Sequence, residues 1–369
     1  VRRARSRERL CVVDVSAPDR SARRTCFDLL RLGAAAAVLL SHSYAVVGRG
    51  EPGLGHQSLG NIAVLVFFAI SGYLITQSWL AEPRVALYAV KRGLRILPAL
   101  LAILLLSALV IGPLTTSLSL SDYFTSTATY RYIADNALMH TTYGLPGVFD
   151  DHPLPDIVNG SLWTLKHEVL CYAVVAGLGL FGLLRRRGPA TLALLALVAL
   201  FALLGDRGPA FFVESTLERT FFVAALLAVW GDRVPWSWPV AVLGIAAFVV
   251  FDWTWAGPWL ATIAIPYATI TAAGLIRPTA ERWLRGNDVS YGVYLWAFPV
   301  QQLVVSAWTG ASPLAISAVA LPLTALVALG SWLLVEKPAL GLKSRLARRM
   351  RAGRANDGAV VGADVPAAD

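Results

Sequence analysis

Apolar residues in this chain come in long runs separated by short polar stretches. A helix needs about 20 apolar residues to cross a hydrocarbon core of ~30 Å. Ten runs meet or approach that length: 28–47, 59–80, 96–113, 162–183, 189–205, 217–231, 238–253, 258–276, 290–309 and 313–335. They predict an all-α fold, a polytopic membrane bundle of about ten transmembrane helices. The fifth and sixth runs are the weakest, because "GDRGPAFFVEST" interrupts them. Residues 114–161 are too polar to span and too aromatic for a plain linker. They are predicted to fold over the outer mouth of the bundle, in part as a re-entrant segment.

The remaining stretches set the domain plan. Residues 1–26 are Arg-rich with no apolar run and read as a disordered cytosolic arm. Residues 27–340 form the membrane domain. Residues 341–369 are basic, then rich in Ala, Gly and Asp, and read as a disordered cytosolic tail. No internal repeat and no second globular domain shows. The apolar run after the basic arm resembles a signal peptide, but it is long enough to span.

Composition agrees with this plan. Of 369 residues 56% are hydrophobic and 15% charged, where a soluble domain carries about 25% charged. The net charge of +9 could suggest nucleic acid, but its distribution points to topology. With the N-terminus inside, 26 of the 32 Lys and Arg fall in inside segments, four outside and two within spans. Adding or losing one helix breaks that alternation, so both termini are predicted to be cytosolic. The three cysteines, Cys11, Cys26 and Cys171, show no CxxC spacing and no disulfide framework. Arg-rich, Ala-rich usage fits a bacterial source and a cytoplasmic (inner) membrane.

Ionisable residues inside spans are costly and are functional candidates by default. The first run, "FDLLRLGAAAAVLLSHSYAVVG", holds Arg31 and His42. Eleven residues at ~100° each place both on one helix face, ~16 Å apart along the axis. Two readings of Arg31 stand, snorkelling to inner headgroups or holding a ligand. His42 is either a buried neutral imidazole bonded to a neighbour or a reactive group. Glu168, in "NGSLWTLKHEVLCY", counts to ~10 Å below the outer face and His42 to about 8–10 Å. Equal depth suggests a carboxylate orienting an imidazole. His167 projects elsewhere on that helix and could face another one. In "KRGLRILPAL", Arg92 and Arg95 share a face and Pro98 is taken as the helix start. Spacing alone favours positive-inside anchoring there, although arginine forks also suit phosphates. The loop "FDDHPLPD" reads as a solvated acidic loop, and no metal ligand set is predicted.

These residues fall into motifs. The chain resembles the acyltransferase-3 family of membrane O-acyltransferases from about Phe27 to Leu342. The resemblance rests on Arg31-x10-His42, "VFFAISGYLIT" (66–76), "KRGLRILPAL" (91–100), "LPGVF" (145–149), "NGSLWTLKHEVLCY" (159–172), "SYGVYLWAFPVQQ" (290–302) and "SWLLVEKPAL" (331–340). One departure stands out: Ala297 occupies a position where the family commonly has histidine. The resemblance implies transfer of an acyl group, often acetyl, from acyl-CoA to a hydroxyl of a carbohydrate or glycosylated acceptor. No esterase-like domain is expected after the last helix. On this reading His42 and Glu168 are the catalytic pair, and Arg31, Arg92 and Arg95 hold the CoA phosphates. Ser71, Trp163 and Tyr294, from the matched motifs, would line the substrate. A different reading of the intramembrane Arg, His and Glu is a proton-coupled transporter, which would be expected to show repeated halves.

Overall fold

The computed structural model describes residues 20–55, 57–205, 215–275 and 287–342. Most of the predicted arm and tail, Cys11, and the arginines at 207, 277, 282 and 285 lie outside the described residues. A helix stands at each of the ten predicted runs. In chain order they are α1 Arg20–Ala45, α2 Leu59–Ala81, α3 Val85–Leu106, α7 Trp163–Leu180, α8 Arg187–Leu204, α9 Ser215–Val229, α10 Trp238–Phe251, α11 Gly257–Leu275, α12 Ser290–Ala307 and α13 Pro313–Ser331. The short α4 Gly112–Thr115, α5 Leu120–Thr125 and α6 Thr127–Ala137 follow α3. Strand is confined, among the described residues, to the hairpin Gly53–Leu54 and Gln57–Ser58. Among the described residues, five segments are long and apolar enough to cross a membrane: Cys26–Ala45, Leu59–Ala81, Val85–Thr115, Arg187–Leu204 and Pro313–Leu342.

Helix α2 is the hub. It is capped by the Ser58 side chain, which accepts from the Asn61 N–H. It packs against α1, α7, α9 and α11. Lipid tails give no hydrophobic drive between helices, so close contact depends on small residues. Gly72 shows this: a Cβ there would lie 2.2 Å from the Phe221 carbonyl oxygen of α9. Helices α8 and α10 lie outside this core, on α9 and α11 respectively, and present leucines and valines such as Leu192, Leu203, Val242 and Leu243 outward.

Two predicted boundaries move. Helix α1 starts at Arg20, inside the stretch whose composition suggested disorder; arginine is a good helix former. Helix α3 starts at Val85, well before Pro98, which sits inside it. Spanning helices tolerate interior proline where their surroundings satisfy the freed backbone groups.

Residues 116–162 form a folded cap. Ser119 and Ser126 cap α5 and α6 through their side chains. Tyr123 anchors the cap to the end of the third helix by donating to the Ala108 carbonyl at 2.7 Å. Burial pushes the Tyr123 phenol up to about 12. The cap then descends into the bundle. Asn159 and Ser161 are fully buried, and Asn159 Nδ2 donates to the Leu295 carbonyl of α12 at 3.0 Å. A Cβ on Gly160 would sit 2.6 Å from the Phe298 ring. Helix α7 therefore begins within the protein interior.

Candidate active site

Three groups of polar side chains sit at successive stations, named outer, middle and inner after the orientation that the charge alternation of the sequence suggests. The outer one surrounds His42 on α1. The His42 ring meets Phe298 of α12 edge-on at 5.2 Å. Its Nδ1 is buried and makes no hydrogen bond. The flanking serines are tied down: Gln301 Nε2 donates to Ser43 Oγ and to the Leu39 carbonyl, both at 2.6 Å. Ser41 Oγ donates to Glu51 Oε2 at 2.8 Å and accepts from the Gly60 N–H at 2.9 Å. Through Ser41, Glu51 is held at the His42 end of α1. It comes from the short loop between α1 and α2.

The middle station gathers Ser71 of α2, Glu168 and Tyr172 of α7, and Arg92 of α3. Ser71 Oγ donates to Glu168 Oε1 at 3.1 Å, and the Tyr172 hydroxyl donates to the same oxygen. The Arg92 guanidinium lies 6.0 Å from the Tyr88 ring and 5.9 Å from the Tyr172 ring. Its Nε is buried with no hydrogen-bond partner. Tyr88 donates to the Tyr172 carbonyl at 3.0 Å, joining α3 to α7.

The inner station is an ion network. Arg95 Nη2 meets Asp288 Oδ2 at 2.6 Å, and Arg31 Nη1 meets the same oxygen at 3.4 Å. Arg31 also faces Asp28 at 3.7 Å, and Arg95 faces the buried Glu336 at 3.8 Å. Arg95 lies 5.4 Å from the Tyr291 ring. Asp288 also accepts from the Ser290 N–H at 3.2 Å and from the Ser290 hydroxyl, at the start of α12. Burial would raise the Asp288 carboxyl, but Arg95 and Arg31 outweigh it and hold the group below its ordinary value.

The expected contact between His42 and Glu168 is not made. No hydrogen bond joins them among the described residues, and Glu168 is taken by Ser71 and Tyr172. The depth count placed the start of α7 at the outer surface. The descent of 159–162 to Leu295 and Phe298 moves that start inward, and carries Glu168 to the arginine side of His42. The predicted arginines divide as well: Arg31 and Arg95 share Asp288, while Arg92 stands between two tyrosines.

Of the substrate-lining expectations, Ser71 belongs to the Glu168 group. The Tyr294 hydroxyl lies 2.7 Å from Thr164 Oγ1 and donates to the Ser161 carbonyl at 3.0 Å. Trp163 meets His167 edge-on at 5.7 Å. His167 does face another helix: its Nδ1 lies 2.5 Å from Glu218 Oε1 of α9, with both side chains buried. Ala297 is fully buried. Cys26 and Cys171 are buried and form no disulfide among the described residues. The loop residue His152 is held between Gln302 and Ser306 of α12, at 2.9 Å from each. Among the described residues no three His, Cys, Asp or Glu side chains gather as a metal site.

Sequence reasoning missed Glu51, Asp288, Glu218 and Glu336 as partners. Glu51 carried a usable signal, being the acid closest in sequence after His42.

Residues 24–336 match the acyltransferase domain family. An O-acetyl transferase of Shigella phage Sf6 is 31% identical over 299 residues, covering 76% of this chain and 86% of that protein. Nodulation protein 10 of Rhizobium leguminosarum bv. viciae is 31% identical over 370 residues, covering 89% of this chain and 96% of that protein. No solved structure matches the chain.

Proposed function

The chain belongs to the acyltransferase domain family and is an O-acyltransferase of helical, integral-membrane character; from that premise we propose that it moves an acetyl group from acetyl-CoA to a hydroxyl of a carbohydrate or sugar-bearing acceptor. The transporter alternative gives way to this membership. In the proposed arrangement the protein sits in a bacterial inner membrane with ten spans and both termini in the cytosol, as the charge alternation suggests. Residues 27–340 are then the catalytic domain, with 114–161 as its outer cap.

In this scheme Arg31, Arg92 and Arg95 receive the donor phosphates at the inner and middle stations. The pantetheine arm follows α1 upward, and its length is of the same order as the ~16 Å between Arg31 and His42. The His42 imidazole takes the proton of the acceptor hydroxyl as that oxygen attacks the thioester carbonyl. The C–S bond breaks as the ester C–O bond forms. The leaving thiolate then receives the proton from the imidazolium. Glu51, held by Ser41, takes over the supporting carboxylate role first given to Glu168. Glu168, Ser71 and Tyr172 line the donor's path. Trp163 and Tyr294 stand on the acceptor's side, where the cap descends.

The observation that carries this reading is His42 itself: a buried imidazole nitrogen without a partner, on the helix that also carries Arg31. Acetyl transfer by purified protein tests it. Folded His42→Ala protein with near-wild-type turnover would rule the scheme out.

A further inference from the structure

The inner station does not have the charge balance of a phosphate cradle. Arg31 and Arg95 supply two cations, and the carboxylates within ion-pair range of them are Asp28, Asp288 and Glu336. Among the described residues these groups are already neutralised from within the protein. A donor phosphate brought to the same guanidinium groups would meet like charge unless one carboxylate moved away.

The three carboxylates are not equally able to leave. Glu336 is almost fully buried on the last helix, and the Ser331 hydroxyl donates to it at 3.4 Å. Asp28 lies on α1 itself, one turn from Arg31, and meets it at 3.7 Å. Asp288 is the one that bridges both arginines through a single oxygen, Oδ2. Its other oxygen, Oδ1, holds Ser290. The division of labour is clear: one oxygen caps α12, and the other occupies the place between two guanidinium groups that a phosphate oxygen would take.

We propose that Asp288 is an internal stand-in for the donor's phosphate, occupying the Arg31–Arg95 site until acyl-CoA displaces its Oδ2. The inference rests on the donor reading given above. It makes Asp288 an affinity-setting residue that opposes the ligand. Its ionised state is favoured by the same two arginines it blocks. The apparent dissociation constant is the intrinsic one divided by the fraction of protein in which the site is open. Removing the Asp288 charge raises that fraction.

The experiment measures binding of coenzyme A, as probe, to full-length protein in nanodiscs. Wild type, Asp288→Asn, Asp288→Ser, Arg95→Met and Arg31→Met are compared. Asparagine and serine both keep a short side-chain oxygen for the Ser290 N–H, so the cap survives in at least one. The expected result is tighter binding in the Asp288 variants, by about tenfold if the site is open in roughly a tenth of wild-type molecules. Arg95→Met loses binding, and KM for acetyl-CoA falls in the Asp288 variants. Unchanged or weaker binding in both Asp288 variants, with Arg95→Met still losing it, overturns the stand-in role and leaves the donor site intact. Coenzyme A affinity unchanged in Arg95→Met and in Arg31→Met overturns the donor reading itself.

Discussion

The two ends of α1 treat their ionisable residues in opposite ways. At the inner end, Arg31 has Asp28 and Asp288 within ion-pair range, and Asp288 is shared with Arg95. At the outer end, the two serines that flank His42 are bonded to other groups. Ser41 holds Glu51, Ser43 is held by Gln301, and the His42 Nδ1 is left without a partner. A buried polar group without a partner costs roughly 1–3 kcal/mol, and each one calls for an explanation such as a catalytic role or a bound water. The contrast separates residues that hold the bundle together from a residue kept available. The His167–Glu218 pair belongs to the first kind.

The sharpest way to break this contrast is His42→Ala. Loss of a general base lowers kcat by about 10²–10⁴-fold, while thermal unfolding in detergent should stay close to wild type. The reverse pattern is expected for His167→Ala. Leaving one partner of a buried hydrogen bond unsatisfied costs about 1–3 kcal/mol, so the unfolding temperature should drop, with kcat per folded molecule reduced far less than in His42→Ala. If both variants lose activity and stability together, the two kinds of residue are not distinct.

A finer test compares the two acids. Glu51→Gln should lower kcat on the order of tenfold and alter the shape of its pH profile. Glu168→Gln should leave that shape alone and act on KM for acetyl-CoA. A pH profile that responds to Glu168 and ignores Glu51 would restore the pairing first expected from depth counting.

The smallest effect is expected at Asp232, whose carboxylate meets Arg187 at 2.6 and 2.7 Å on the surface. The hydrogen bond from Arg187 holds this carboxyl below its ordinary value. Such a group stabilises above its unfolded pKa, and that contribution is lost as pH falls through the folded one. Water screens a fully exposed pair. Asp232→Asn should therefore leave the unfolding temperature unchanged between about pH 5 and 8, where the carboxyl is ionised in both states.

Much of the helical plan was legible in the sequence because each apolar run is long and its flanks are polar. The Arg31–His42 spacing was legible because helix periodicity is rigid. Depth was not. Placing Glu168 beside His42 assumed that α7 starts at the surface, and no local pattern in "DIVNGSLW" announces that it starts inside. The partners Asp288, Glu218 and Glu336 were also hidden. Each lies far from its partner in sequence, and pairing across helices depends on packing that a single chain does not display. Glu51 was overlooked for a different reason: loop acids are usually solvated, and this one is held down by Ser41.

On the proposed function, the descent of residues 159–162 also shortens the path of the acyl group. A bilayer core is ~30 Å thick, and a reaction carried across all of it would call for a carrier. Here the outer cap brings its backbone down to Leu295 and Phe298, and His42 stands at the Phe298 end of that descent. The gap left between the inner arginine and the imidazole is ~16 Å, about half of the barrier. In the proposed scheme a tethered thioester swinging on one flexible arm bridges that gap.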